Sequence, residues 1–237
     1  MKSNWHVRCI TCGREYEAGG APEYVCPRCA QGQVSGAPLR GVLECCYAYA
    51  MFAAAHDRDS APVLLPEFAA SPPPPTALRI GGTPLYPAPR LAAAAGIARV
   101  LLKDETVQPS GSLKDRATDL VLRAARARNA EVLTCASTGN AASSLSTLCA
   151  AYGLSCHIFV PAAAPRGKLA QIAATGAVLH RVDGTYDQCC ALSREASRAF
   201  GWYNRNTAYN PWTIEGKKTV SWEIARQTGW APPDQIF

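Results

Sequence analysis

Apolar and polar positions change rhythm along this chain, and the change divides it. From Gly81 onward, short apolar runs alternate with longer amphipathic stretches. Val100-Leu101-Leu102-Lys103, Val132-Leu133-Thr134-Cys135, Cys156-His157-Ile158-Phe159-Val160, Ala177-Val178-Leu179-His180 and Trp202-Tyr203-Asn204 have the length and composition of strands. Between them the spacing predicts helices over about 114–128, 141–152, 166–175 and 186–200. Short apolar strands separated by helices of that length imply βαβ crossovers and a parallel sheet covered on both faces. In such sheets ligands sit beyond the carboxyl ends of the strands, where helices begin.

The pattern before Gly81 is different. Residues 1–36 are polar, rich in Cys and Gly, and show little helical or strand periodicity. Residues 37–80 are mixed: an apolar stretch runs from Tyr47 to Ala55, and Ser71-Pro72-Pro73-Pro74-Pro75-Thr76 reads as a stiff extended spacer. Three zones are therefore expected, at 1–36, 37–80 and 81–237. No internal repeat is visible.

Composition narrows the function classes. No apolar run approaches the eighteen or so residues of a membrane span. The start, Met1-Lys2-Ser3-Asn4-Trp5-His6-Val7-Arg8, lacks the apolar core of a secretory signal, so a cytoplasmic protein is expected. The net charge of +6 is scattered. Its densest group, Lys114, Arg116, Arg123, Arg126 and Arg128, is interleaved with Asp115 and Asp119 and reads as the solvated face of one helix. Nucleic acid and membrane are not expected partners.

Eleven cysteines look like a disulfide framework only until their spacing is read. Cys9-x2-Cys12 and Cys26-x2-Cys29 form two knuckles that can bring four thiolates to the corners of a tetrahedron, the arrangement zinc takes in closed structural sites. Such a site has no open position, so its Zn2+ would be structural. Cys45, Cys46, Cys135, Cys149, Cys156, Cys189 and Cys190 lie mostly among apolar neighbours and behave as small hydrophobes in a reducing compartment.

Two turns carry the remaining chemistry. In Gln108-Pro109-Ser110-Gly111-Ser112-Leu113-Lys114-Asp115-Arg116, Ser112 and Asp115 have capping-box spacing, with Ser112 as N-cap. Lys114 then sits in the first helical turn, where the positive end of the macrodipole disfavours an ammonium ion. A neutral amine there can attack an aldehyde and form a Schiff base. The second turn, Ser137-Thr138-Gly139-Asn140, opens a helix of small residues. Its backbone N–H groups and hydroxyls can seat a carboxylate, and the Asn140 amide can donate to a phenolate-type oxygen. Each turn taken alone also reads as an ordinary helix start.

Together the two turns resemble the pyridoxal-phosphate enzymes of fold type II, the tryptophan synthase β-like α/β fold, and within them the threonine synthase family. Gly81-Gly82-Thr83-Pro84-Leu85 resembles the family's opening motif, and Lys103-Asp104-Glu105 the segment before the lysine. Ala136-Ser137-Thr138-Gly139-Asn140-Ala141-Ala142-Ser143-Ser144 resembles its asparagine loop, and Glu215-Gly216-Lys217-Lys218-Thr219 a glycine turn opening a later helix. Many members also carry a zinc-ribbon-like N-terminal segment. The resemblance implies that Lys114 bonds pyridoxal 5'-phosphate and moves protons on the substrate. It implies that Asn140 meets the cofactor's ring oxygen, and that Ser137, Thr138 and Gly139 hold the amino acid's carboxylate. The implied reaction converts O-phosphohomoserine and water to threonine and phosphate. A homodimer is expected because members often pair.

The sequence departs from the family at several places. Ser110, Leu113 and Ala117 replace the usual Thr, Phe and Gly. Thr213 stands where an arginine suited to a substrate phosphate is often found, and Arg205 or Lys217 could compensate. Beyond Ile236-Phe237, expected to begin a strand, the family continues into a glycine-rich phosphate loop, so a weak or inactive fragment is expected. Two other readings stand beside this one: another fold type II lyase, such as an ammonia-lyase or cysteate-synthase-like enzyme, and a non-catalytic zinc-binding module.

Overall fold

The computed structural model describes residues 5–34, 37–48, 78–231 and 233–237. The Pro-rich spacer and most of the apolar stretch after Tyr47 lie outside them. At the N-terminus β1 (Trp5–Cys9) pairs antiparallel with β2 (Glu15–Glu17) and with β3 (Leu43–Tyr47), in the order β2-β1-β3. A single helical turn, α1 (Pro27–Ala30), holds the second knuckle. The third strand lies beyond residue 36, where the polar composition ends, so the folded N-terminal unit extends to Tyr47. Low periodicity hid these strands because β1 alternates buried Trp5, Val7 and Cys9 with His6 and Arg8, a pattern only five residues long.

A two-stranded antiparallel pair follows, β4 (Leu85–Pro87) with β5 (Leu101–Lys103), bracketing α2 (Pro89–Ala95). Then comes α3 (Lys114–Arg126), and after it the parallel sheet built from β6 (Val132–Ala136), β7 (Ser155–Pro161), β8 (Val178–Val182) and β9 (Tyr203–Asn204), ordered β8-β7-β6-β9. Its helices are α4 (Asn140–Tyr152), α5 (Arg166–Ala173), α6 (Tyr186–Phe200) and α7 (Trp212–Gln227). The expected strands and the four expected helices are all present within a few residues of their ends. The main core fills from Leu120, Val121, Leu133, Leu145, Leu148, Ile158 and Ile172. A smaller cluster, Ala136, Phe159, Cys189 and Ala196, lies under α6. Among the described residues, no helix is long and apolar enough to cross a membrane.

Four local expectations are corrected. The helix after the lysine turn begins at Lys114 itself, with Leu113 as N-cap, and Ser112 Oγ only accepts a 3.3 Å bond from the Lys114 N–H. Asp115 does not complete a capping box; its carboxylate accepts from both the N–H (2.7 Å) and the hydroxyl (2.5 Å) of Ser110, closing the loop. The basic group on α3 is not wholly solvated, because Arg116 is buried. Ile236 and Phe237 are irregular and exposed rather than the start of a strand.

Gly216 also differs from expectation, since it lies inside α7 instead of opening it. The reason is close packing. A Cβ at Gly216 would stand 2.3 Å from the Arg116 carbonyl oxygen and 2.7 Å from Ala117 Cα, so the α3 backbone touches α7 at this point. Neither atom can move without moving a helix. Gly216→Ala should therefore cost about 1–3 kcal/mol, read as a lower denaturation midpoint in urea. An unchanged midpoint would show that the two helices are not packed this closely.

Candidate functional site

The site begins where α3 and α4 start. Both helices run antiparallel to β6, α3 leading into it and α4 leaving it, so their N-termini lie at the strand's carboxyl end. Ser144 Oγ donates to Thr118 Oγ1 at 2.6 Å, in the core between them. Lys114 and Asn140 each lie a helical turn before that bond, which brings the lysine turn and the Ser137–Asn140 turn side by side. Thr118 is the node of the arrangement: it donates to the Lys114 carbonyl at 3.0 Å and also accepts from Arg205 Nε at 3.3 Å.

The residues singled out from the sequence occupy this place. Lys114 is half-buried, and its ammonium has no hydrogen-bond or ion-pair partner among the described residues. Ser137, Thr138 and Gly139 are half-buried, while Asn140 is exposed, with its side-chain amide unengaged among the described residues. The Gly139 N–H bends back to Ser137 Oγ at 3.1 Å. A Cβ at Gly139 would meet nothing within 4 Å, so open space borders the turn. Helix α4 starts with Gly139 as N-cap and no side-chain cap, leaving the first N–H groups without intrahelical acceptors. An amine beside an anion-seeking helix start suits an aldehyde-bearing, negatively charged cofactor and an amino-acid carboxylate.

A second set of residues holds the lysine turn in place. Arg116 is 1% exposed at its side chain and donates through Nε to Glu105 (2.7 Å) and through Nη2 to Glu223 (2.7 Å). Glu223 also accepts from the Gly82 N–H (2.7 Å) and from Lys103 Nζ (2.8 Å). Thr83 Oγ1 donates to Glu105 at 2.6 Å, and Gln108 reaches both Glu105 and the Gly81 N–H. The glycine-rich motif, the Lys-Asp-Glu segment and the lysine turn, far apart in sequence, thus meet on one guanidinium. Burial opposes the Glu223 charge, yet the bonds from Arg116, Lys103 and Gly82 bring its carboxylate down to about 2. Sequence reasoning missed Arg116 and Glu223 because a lone charge on an amphipathic helix looks like surface. The one available signal was the nearness of Arg116 to the lysine motif.

The four knuckle sulfurs converge as well. All lie within 4.8 Å of one another, with Cys9–Cys29 at 3.8 Å and Cys12–Cys26 at 3.9 Å. Tetrahedral thiolates about 2.3 Å from a zinc ion stand about 3.8 Å apart, so the spacing fits. Burial raises the Cys26 thiol, but hydrogen bonds from the Tyr16 hydroxyl (3.0 Å) and the Cys29 N–H outweigh it and push it below the ordinary thiol range, favouring thiolate. Of the other seven cysteines, Cys45, Cys135, Cys149, Cys156 and Cys189 are buried, and no disulfide joins cysteines among the described residues.

Residues 76–237 match the family model for pyridoxal-phosphate dependent enzymes, and the chain belongs to that family. Its sequence is similar to threonine synthases. It is 38% identical to that of Mycobacterium leprae over 159 residues, 67% of this chain and 44% of the relative. It is 32% identical to that of Methanosarcina acetivorans over 239 residues, 98% of this chain and 56% of the relative. The chain thus spans about half the length of the curated relatives it matches. Among solved structures, maize serine racemase aligns with a TM-score of 0.57 at 23% identity, covering 62% of this chain and 45% of that one. The fold is that of the fold type II enzymes, with the parallel sheet and its helices as described.

Proposed function

We propose that this chain carries the lysine-bearing part of a threonine synthase-like lyase, acting on O-phosphohomoserine and water to give threonine and phosphate. The observation that supports it most is the convergence of Lys114 with the Ser137–Asn140 turn across the Thr118–Ser144 bond. In this reading Lys114 forms the covalent link to pyridoxal 5'-phosphate. Asn140 donates its side-chain N–H to the ring oxygen. Ser137, Thr138 and the N–H groups at Gly139 hold the substrate carboxylate. When bound, the cofactor supplies an electron sink for negative charge developing beside the amino group. The protein's share is orientation and proton transfer: a Lys114 amine released from its link carries a proton between substrate carbons. The four thiolates of Cys9, Cys12, Cys26 and Cys29 hold a structural Zn2+. The reading places the protein in the cytoplasm, where thiols stay reduced, and treats a homodimer as its assembled form.

The test is chemical trapping. Chain incubated with pyridoxal 5'-phosphate should gain a visible absorption band, and borohydride should fix the adduct on the peptide containing Lys114. Lys114→Ala should remove both signals. Adducts spread over exposed lysines, or a band unchanged in the Lys114→Ala chain, would overturn the assignment.

A further inference from the structure

Arg205 follows β9 directly, anchored where its N–H donates to the Thr134 carbonyl at 2.8 Å. Its side chain is fully buried, at 0% exposure. Nε donates to Thr118 Oγ1 (3.3 Å) and Nη1 to Thr207 Oγ1 (3.1 Å), but Nη2 meets no acceptor among the described residues. Among the described residues no carboxylate is in ion-pair contact with the guanidinium. Asp115, whose charge reaches it, has its carboxylate occupied by Ser110. A buried cation with an open N–H and no counter-ion is a costly arrangement unless a ligand completes it.

Lys217 stands near enough to two other cations, Arg205 and Lys114, for their charges to act on it. Lys217 is half-buried on α7, and burial first, then the charges of Arg205 and Lys114, push its ammonium below its ordinary range. Lys114 begins α3, one turn from the Thr118 hydroxyl that Arg205 touches. Thr213 is not available for such a ligand. Its hydroxyl donates to the Asn210 carbonyl (2.7 Å) and accepts from the Ala208 N–H (3.3 Å), and its side chain is buried. It closes the loop before α7.

We infer that Arg205 Nη2 and the Lys217 ammonium together seat a tetrahedral oxyanion, the phosphate ester at the far end of the amino-acid substrate. The inference rests on the reading above and deepens it. Specificity for the phosphorylated substrate then resides in Arg205, directly after β9, and Lys217, one turn into α7, instead of at Thr213. An oxyanion fits because it offers several acceptors to one open guanidinium N–H and one ammonium, and brings the negative charge this cluster lacks.

Binding of inorganic phosphate to the whole chain, followed by calorimetry at constant ionic strength, tests it without any turnover. Wild type should bind saturably in the millimolar range. Lys217→Gln and Arg205→Lys should each weaken binding about tenfold or more. Lys168→Gln, which removes an equal charge from an exposed position on α5, should leave binding unchanged. If Arg205→Lys fails to fold, the contrast between Lys217→Gln and Lys168→Gln decides alone. No saturable binding, or equal affinities in those two variants, overturns the inference. A second arm uses chain with cofactor fixed on Lys114 by borohydride. Retained phosphate affinity supports a substrate seat, whereas lost affinity assigns the seat to the cofactor's own phosphate and overturns it. Failure of Lys114 to take cofactor while phosphate still binds would sink the proposed function and leave the oxyanion seat standing.

Discussion

Arg116→Met is expected to destabilise the chain by about 3–5 kcal/mol, because it strands two carboxylates that the guanidinium now neutralises. Glu105 and Glu223 have side chains only 16% and 17% exposed, and both lean on a partner that is 1% exposed. Methionine fills the volume but leaves those charges facing each other across Thr83. The effect should also read out in acid. The Glu223 carboxylate is held at about 2 in the fold, below the ordinary carboxylate value in the unfolded chain. A carboxylate depressed in this way stabilises the fold above its unfolded pKa, and the contribution drains away as pH falls toward about 2. Urea midpoints for wild type should therefore fall between roughly pH 4.5 and pH 2, by an amount on the order of 2–3 kcal/mol once partial exposure is allowed for. The Arg116→Met chain should show a much shallower fall, since the largest favourable bond to Glu223 is gone. Equal stability of the two proteins at pH 7 would mean that the Gly81–Thr83 loop, the lysine turn and α7 are held by packing alone.

The consequence for function follows from where this network sits. Arg116 is two residues beyond Lys114 on the same helix, and its partners come from the loop before β4, the segment after β5 and α7. Loss of the network would loosen the turn that aims the lysine without touching the lysine itself. Cofactor trapping at Lys114 should then weaken in Arg116→Met even under conditions where most of the chain is folded.

How much of this was legible beforehand depended on the range of the interaction. Strands β6 and β7 and helices α3, α4 and α6 are encoded locally, by apolar runs of the right length and by periodic faces, and they appear where the pattern puts them. Lys114 and the Ser137–Asn140 turn were legible for the same reason: each is a short motif at a strand-to-helix or loop-to-helix junction. What failed was everything set by partners distant in sequence. Ser112 looked like a cap, but Asp115 is drawn to Ser110 instead. Gly216 looked like a turn, but it is the contact between α3 and α7. Arg116 looked like surface, although its counter-charges lie 11 residues back and 107 residues ahead. The third strand of the N-terminal sheet was missed because its register with β1 spans nearly forty residues of turns and knuckles, as in Arg8 against Glu44.

Stripping the proposed zinc from the Cys9–Cys12–Cys26–Cys29 cluster should release the Asn204 amide, at the end of β9 beside Arg205. The N-terminal unit does not stand apart; it is docked on the segment from Tyr203 to Glu215. Tyr24, two residues before Cys26, stacks on Tyr209 with centroids 4.6 Å apart and tilts against Tyr203 at 5.8 Å. Its hydroxyl accepts the Asn204 N–H at 3.0 Å. Trp5 meets Trp212 edge-on at 6.1 Å, and the Tyr47 hydroxyl donates to Glu215 at 2.6 Å. The exposed Glu23–Arg128 pair adds little beside these aromatic contacts, since both partners are well hydrated. A three-stranded sheet of this size has few buried apolar residues of its own, and a closed zinc site of this kind contributes about 10 kcal/mol or more of folding free energy in small domains. Without the ion the unit should open and withdraw Tyr24. Hydrogen exchange should then show Asn204 losing at least about a hundredfold of protection, equivalent to roughly 2.7 kcal/mol. Amides in the middle of α4, which pack only on the main core, should keep theirs. Protection at Asn204 that survives chelation would mean the cysteine cluster folds without metal. Protection lost equally everywhere would mean that the two units unfold as one, and the N-terminal sheet would then be part of the site's foundation rather than a clamp upon it.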